Sequence, residues 1–257
     1  MRRIPPIFLL ILFLLGTNSL RAQQSPQVIF DEANSLYQNG ELSKALSLYR
    51  SIVESGQVSG AVYLNMGIAA VQMDSMGLAK YYFLKSGSFE ETQQDALAAL
   101  EYVDDQFSRR SATLPKLPWD RAVQWINESP GTSGLFFIGF LISVFGLVLL
   151  YLGWFQKLSF HKYIAVTTSL IASGIIIVIV AFYADYVDHR YDEAILITTS
   201  QRVLQQPNPE ASLVSIAYEG YDLNVDHWES HDKEGWLYVR LGNGQFGWIQ
   251  SESVRIL

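Results

Sequence analysis

The stretch LFFIGFLISVFGLVLLYLGWF, residues 135–155, contains no charged side chain. A second uncharged stretch, YIAVTTSLIASGIIIVIVAFY, follows at residues 163–183. A helix rises about 1.5 Å per residue, so about 20 apolar residues cross the roughly 30 Å hydrocarbon core of a bilayer. A buried helix of a soluble protein needs much less unbroken apolar sequence. The two stretches therefore predict a two-helix transmembrane hairpin.

The charges around the two stretches predict its orientation. The loop QKLSFHK, residues 156–162, is short and carries Lys157 and Lys162, whereas Asp185 and Asp188 follow the second stretch. Short loops with lysine stay in the cytoplasm. We therefore expect a cytoplasmic loop, with both flanking segments in the periplasm. Neither stretch contains an ionisable residue that would indicate ion or proton transport.

The start of the chain, residues 1–22, has the pattern of a secretory signal peptide. Two arginines precede the apolar run IFLLILFLL at residues 7–15, and small residues follow it. We expect cleavage after Ala22. Leu20 is bulkier than usual for its place before a cleavage site, so an uncleaved N-terminal anchor is the alternative. Either form agrees with export of the segment that follows.

The net charge is −7, and removal of residues 1–22 would take it to −10, because that segment holds three arginines and no acid. Nucleic-acid affinity depends on clustered Lys and Arg, so we expect no nucleic-acid partner. The chain has no cysteine. This excludes disulfides and thiolate metal sites, and packing alone must hold the exported modules together.

Residues 26–93, within a predicted repeat domain of residues 23–110, contain a self-similarity with a period of 34 residues. Small residues and aromatic residues recur at this spacing. The matched pairs are Ala33 with Gly67, Leu42 with Met76, Ala45 with Ala79, and Tyr49 with Phe83. This pattern resembles tetratricopeptide repeats, which implies a short α-solenoid of paired helices. Asn39-Gly40 would form the first turn, Asp74 replaces the turn glycine of the second repeat, and residues 91–107 would form a capping helix.

Tetratricopeptide repeats bind peptides in a concave groove, and the resemblance implies such a groove here. Its predicted lining is Phe30, Asn34, Tyr37, Leu64, Asn65, Ile68 and Val71. The two asparagines fall where carboxylate-binding members of the family place asparagines, but Phe30 stands where their lysine would be. Such a groove would suit an apolar or extended peptide better than a C-terminal carboxylate. The alternative, that these residues only pack against a neighbouring helix, stays open.

Residues 111–134 are predicted to be a linker. Two prolines stiffen it, and WDRAVQWINE at residues 119–128 fits a short amphipathic juxtamembrane helix. Trp119 and Trp125 would then lie in the headgroups of the bilayer.

Residues 184–257 contain five or six short β-rich runs separated by turn signals, which predict a small closed barrel. The segment resembles bacterial SH3-like domains, in which a "v..l..G..l.V" strand pair precedes a "GW..V...nG..GWi" hairpin. The matching residues are Leu213, Ile216, Gly220, Leu223, Val225, Gly235, Trp236, Val239, Asn243, Gly244, Gly247, Trp248 and Ile249. Asn243-Gly244 would supply the positive φ of a tight turn.

The aromatic residues of this module allow two interpretations. They could be core residues, or they could form a ligand face. That face would consist of Trp228, Trp236, Tyr238 and Trp248. SH3-like domains of bacteria bind cell-wall peptides and proteins, and the fold does not choose between these ligands.

Residues that could carry chemistry are few. The segment DHWESHDKE, residues 226–234, holds His227 and His231 among acids, but it lacks the residue order of a zincin and fits a solvated loop between strands. The sequence has no glycine-rich phosphate loop, and no nucleophile can be paired with a base. We therefore expect a protein that is not an enzyme and that binds no metal or cofactor.

The order of modules is signal peptide, tetratricopeptide-like repeats, transmembrane hairpin and SH3-like domain. This order resembles the BatE-type aerotolerance-operon proteins of Bacteroidetes. The resemblance implies a stress-tolerance role in the inner membrane beside von Willebrand factor A-type membrane proteins and their associated ATPase. It favours an adaptor that presents two periplasmic protein-binding modules. The alternative is a tethering protein whose SH3-like domain binds peptidoglycan.

Overall fold

The computed structural model describes residues 25–107, 122–123, 125–126, 129–156 and 160–257. These parts form a helical N-terminal region, two long apolar helices and a C-terminal antiparallel sheet. The chain is therefore α plus β, as the sequence predicts. The predicted signal peptide, most of the predicted linker with Trp119, and Lys157 in the predicted loop lie outside the described residues.

The N-terminal region is a row of helices in which each helix packs against the next. Their bounds are α1 Pro26–Gln38, α2 Leu42–Glu54, α3 Gly60–Gln72, α4 Met76–Gly87, a 3₁₀ turn Glu90–Thr92, and α5 Gln93–Gln106. Ser25 and Ser59 cap α1 and α3 by accepting hydrogen bonds from the backbone amides of Val28 and Val62. These helices share one hydrophobic core.

The residues that recur every 34 positions lie in this core. Ala33, Ala45, Ala79 and Tyr49 are fully buried, and a Cβ on Gly67 would lie 2.3 Å from the ring of Phe83. Only small side chains fit at such helix contacts because interiors are closely packed. The turns also follow the period: Gly40 ends α1 with φ +79°, and Asp74 has φ +57° at the equivalent place after α3. Aspartate tolerates this left-handed conformation better than most residues.

Ala79→Leu is expected to destabilise the helical region by ~1–3 kcal/mol, because the added atoms have no space in the core. The measurement is chemical unfolding of the full chain in detergent. Ala98→Leu makes the same change on the exposed face of α5 and should leave the free energy of unfolding unchanged. Equal stability of the two variants would contradict the 34-residue register.

The two apolar helices are α6, Thr132–Gln156, and α7, Phe160–Arg190. Both are long and apolar enough to cross a membrane. They pack closely where glycines meet: a Cβ on Gly139 would lie 2.8 Å from the carbonyl oxygen of Gly174, and one on Gly174 would lie 2.6 Å from that of Gly139. Small residues let helix backbones approach in this way.

Helix α7 continues beyond residue 183, where the uncharged stretch ends. It carries His189 and Arg190 in its last turn, where positive charge interacts favourably with the helix dipole. Strand β1 starts at the next residue, Tyr191. The helix therefore enters the sheet without an intervening loop.

The C-terminal sheet has the strand order β3-β2-β6-β5-β4-β1-β7, and every described pairing is antiparallel. The strands are β1 Tyr191–Leu196, β2 Ser200–Leu204, β3 Leu213–Tyr218, β4 Asp222–Asp226, β5 Trp236–Leu241, β6 Phe246–Gln250 and β7 Val254–Ile256. The predicted closed barrel is wrong, because the sheet is open at β3 and β7. Strand β7 has only three residues, and they pair with β1 rather than with β3.

Two local predictions in this module also differ from the structure. The turn between β5 and β6 has a positive φ at Gly244 but not at Asn243, and Leu241 and Gln245 pair across it. A longer loop with one left-handed residue therefore replaces the predicted tight turn. The segment predicted as a loop after β4 forms a helical turn, α8, His227–Ser230. Asp226 stabilises it as the N-cap.

Candidate functional site

Three polar side chains from α1, α2 and α3 meet on one face of the helical region. The Tyr49 hydroxyl donates to Oδ1 of Asn34 at 2.5 Å, and Nδ2 of Asn65 donates to the same oxygen at 3.0 Å. Burial raises the pKa of Tyr49, so its hydroxyl is a neutral donor. Nδ2 of Asn34 and Oδ1 of Asn65 have no partner within the described part of the chain. The pair therefore keeps one donor group and one acceptor outside the hydrogen bonds of the cluster.

The other predicted groove residues lie around this cluster on α1 and α3. Phe30 packs against Tyr49, with ring centroids 5.8 Å apart, and the Tyr37 hydroxyl accepts a hydrogen bond from Gln72. All of the predicted groove side chains are half-buried except Ile68, which is exposed. The face therefore combines apolar surface with two oriented amides, which fits an extended peptide. Sequence reasoning missed Gln72 as part of this face, and it missed fully buried Tyr49 as the residue that bonds Asn34.

The four aromatic residues predicted as a ligand face of the sheet do not form one exposed surface. Trp248 is 8% exposed, Trp236 and Tyr238 are half-buried, and Trp228 is 69% exposed. Tyr238 contacts Trp248, with ring centroids 5.2 Å apart, and stacks on exposed Phe246 at 6.1 Å. Trp228 instead lies on α8 and packs against the end of α7. Phe246 is a surface aromatic residue that the sequence patterns did not single out.

The helical region and the sheet contact each other through α4. Nζ of Lys80 donates to the carbonyl oxygen of Gly220 at 3.0 Å and lies 2.9 Å from Oδ1 of Asp222 and 3.5 Å from Oδ1 of Asp104. The lysine is only 8% exposed. Burial of a charge is costly unless partners surround it, and here both regions supply the partners. This contact joins the two modules, which the sequence patterns treat as separate.

Close backbone approach extends the same contact. The amide of Gly77 donates to Oε1 of Glu219 at 2.7 Å, and a Cβ at Gly77 would lie 2.5 Å from the carbonyl oxygen of Leu196. On the other side of the contact, a Cβ on Gly220 would lie 2.2 Å from the ring of Phe107. Glycine is therefore required at both positions, Gly77 in the helical region and Gly220 in the sheet. On the same helix as Gly77, burial lowers the pKa of Lys85, and the charge of Asp192 opposes this shift.

The junction between α7 and the sheet centres on Asp226, which is buried at the end of β4. Oδ2 accepts hydrogen bonds from Nη2 of Arg190 at 2.7 Å and from its Nε at 3.0 Å. Oδ1 accepts from the backbone amides of Trp228 at 3.0 Å and Glu229 at 3.2 Å. One carboxylate thus connects the end of α7, strand β4 and α8. A charge-assisted pair with two bonds is among the stronger hydrogen-bond arrangements.

Candidate catalytic or metal-binding groups are sparse in the described ranges. Nε2 of His227 lies 2.7 Å from Oδ2 of Asp192, whereas His231 is exposed. Over residues 25–107, 129–156 and 160–257, no group of three or more His, Cys, Asp or Glu residues could hold a metal ion. Comparison with protein-family models gives no match to the chain, and comparison with curated proteins gives none.

Proposed function

We propose that this protein is a non-enzymatic adaptor of the bacterial inner membrane. Helices α6 and α7 would span the bilayer, and the helical region and the sheet would lie together in the periplasm. In this proposal the helical region is a short tetratricopeptide-like solenoid and the sheet is an open relative of the SH3-like fold. The proposed partners are von Willebrand factor A-type membrane proteins and the associated ATPase of a BatE-type aerotolerance complex.

The pair of oriented amides carries the binding function in this proposal. Asn34 and Asn65 are fixed by each other and by Tyr49, so a peptide would not have to order them on binding. Apolar side chains of α1 and α3 surround them. An extended segment of a partner could bond to the amides through its backbone and place alternate side chains on the apolar surface.

The contact between the two modules supports the proposed topology. One module precedes the pair of apolar helices and the other follows it, yet Lys80 and Asp222 form an ion pair at 2.9 Å. Segments in contact must lie on the same side of a membrane. An even number of spans between them satisfies this requirement, and α6 with α7 supplies two.

Asn65→Ala is expected to reduce recovery of the partner about 2- to 10-fold, because the variant loses hydrogen bonds to the ligand and frees the Asn34 amide. The measurement is affinity purification of the tagged, detergent-solubilised full chain from its own host. Asn224→Ala removes an exposed asparagine from β4 and is the matched control. Equal recovery with both variants would contradict the groove. Pelleting of the full chain with peptidoglycan sacculi, unaffected by Asn65→Ala, would favour the wall-tethering alternative.

Cysteine labelling in intact cells should give a periplasmic pattern. The chain has no cysteine, so single cysteines can be introduced at Ser55, Ser159 and Ser212. A reagent that crosses the outer but not the inner membrane should label positions 55 and 212 and leave position 159 unlabelled, because Lys157 and Lys162 keep the short loop inside. The opposite pattern would put both modules in the cytoplasm and remove both periplasmic functions.

A further inference from the structure

Trp228 is a large apolar side chain in an exposed position. The residue is 69% exposed, although Asp226 fixes its backbone amide. The ring packs edge-to-face against Tyr186 on α7, with centroids 5.7 Å apart, and the guanidinium of Arg190 lies 5.5 Å from its centre. The exposed indole is thus held beside the last turns of the helix that is proposed to span the membrane.

The level of Trp228 along α7 can be estimated from helix geometry. The uncharged stretch ends at residue 183, and Tyr186 lies three residues later, about 4.5 Å further along the axis. The headgroup layer is about 5–8 Å thick on each side of a roughly 30 Å hydrocarbon core. A ring that packs against Tyr186 therefore lies at the level of the headgroups.

The surroundings of Trp228 indicate which surface it meets. Tyr183, Tyr186 and Tyr191 each expose between 38% and 54% of their surface near the same end of α7. Trp and Tyr prefer the headgroup region, where an apolar ring and a polar atom are both accommodated. Tyr183 and Tyr186 belong to α7 itself, which also exposes Ile179 and Phe182.

The charges near Trp228 favour one class of lipid. Arg190 is paired with Asp226. Four further carboxylates lie on the adjoining ends of α7, β1 and α8, namely Asp185, Asp188, Asp192 and Glu229. Two histidines pair with them, His189 with Asp185 and His227 with Asp192, so acidic groups outnumber basic ones here. Such a site repels anionic headgroups. Zwitterionic headgroups, which carry an ammonium group beyond the phosphate, avoid this repulsion.

We infer that Trp228, packed on Tyr186, inserts into the zwitterionic headgroup layer and anchors the membrane end of the sheet to the bilayer surface. The inference rests on the proposed two-span hairpin. It gives Trp228 a lipid partner in place of a peptide or wall ligand. The sheet then lies directly on the membrane through α8.

The test uses the full chain in nanodiscs of zwitterionic lipid, with one environment-sensitive dye at a time on an introduced cysteine. The dye positions are Glu229→Cys beside Trp228, Ile176→Cys near the middle of α7, and Ser212→Cys before β3, all of them exposed. Lipids carry a nitroxide quencher either in the headgroup or deep in the acyl chain. We expect the dye at 229 to lose most of its fluorescence to the headgroup nitroxide, the dye at 176 to lose it to the deep nitroxide, and the dye at 212 to keep it.

The other outcomes at positions 229 and 176 show whether the anchor alone is wrong or the hairpin as well. An unquenched dye at 229 together with deep quenching at 176 would overturn the anchor while leaving the hairpin intact. An unquenched dye at 176 would overturn the hairpin and the anchor together. Adding Trp228→Ser to the Glu229→Cys chain should reduce headgroup quenching. Unchanged quenching would show that the α7 junction alone holds α8 at this level, and the anchoring role of Trp228 would be wrong.

Discussion

Asp226→Ala is expected to lower the melting temperature of the C-terminal sheet by roughly 10 °C. The variant removes the N-cap of α8, which by itself costs about 0.5–2 kcal/mol. It also leaves the guanidinium of Arg190 without the carboxylate that accepts two of its hydrogen bonds. Both losses fall at the junction where α7 enters the sheet, so the effect should exceed that of an ordinary surface substitution.

The contributions to this effect can be separated by thermal unfolding of the full chain in detergent. Asp226→Asn keeps an oxygen that can cap α8 but loses the charge, and it should lie between the parent chain and Asp226→Ala. Asp232→Ala removes an exposed carboxylate just after α8 and should change little. Equal melting temperatures for Asp226→Ala and Asp232→Ala would show that the junction does not depend on Asp226.

Lys80→Glu is expected to separate the helical region from the sheet. The new carboxylate would be buried beside Asp222, Asp104 and the carbonyl oxygen of Gly220, and it would repel all three. Backbone amides at the contact, such as that of Gly77, should then exchange their hydrogens more than about tenfold faster, because separation exposes them to water. The measurement is hydrogen exchange followed by mass spectrometry.

Two further variants test the cause of this separation. Asp222→Lys in the Lys80→Glu chain reverses the pair and should restore part of the protection, because opposite charges again face each other. Lys44→Glu reverses an exposed lysine of α2 and should leave exchange at Gly77 unchanged. An unaltered exchange rate in Lys80→Glu would mean that the contact is held by glycine packing rather than by charge.

The features that sequence predicts well here are local or periodic. Two long uncharged stretches give the apolar helices, and the 34-residue period gives Ala45 and Ala79, which are both fully buried. The predicted barrel closure failed because strand count and turn signals do not determine the partner of the last strand. The three residues of β7 pair with β1, and β3 is left at an edge.

The interactions that connect the regions could not be predicted, because the partners are distant in the sequence. Lys80 and Asp222 are 142 residues apart, and Arg190 and Asp226 are 36 apart. Neither pair belongs to a repeat or a motif. In the proposed groove, the resemblance to tetratricopeptide repeats selects Asn34 and Asn65. The role of Tyr49 in orienting them depends on its hydroxyl, whereas the 34-residue period identifies Tyr49 only as a core ring.

Because α7 passes directly into β1, movement of the helix is expected to move the sheet as well. Strand β1 begins at Tyr191 beside the helix, and Leu196 at its other end contacts Gly77 of the helical region. Six residues of strand span about 20 Å, so a tilt of α7 by about 10° would displace that contact by about 3 Å. Because no flexible loop separates α7 from β1, we expect a change in the tilt or rotation of α7 to displace the sheet and the helical region together. The amide-lined face on α1 and α3 would move with it.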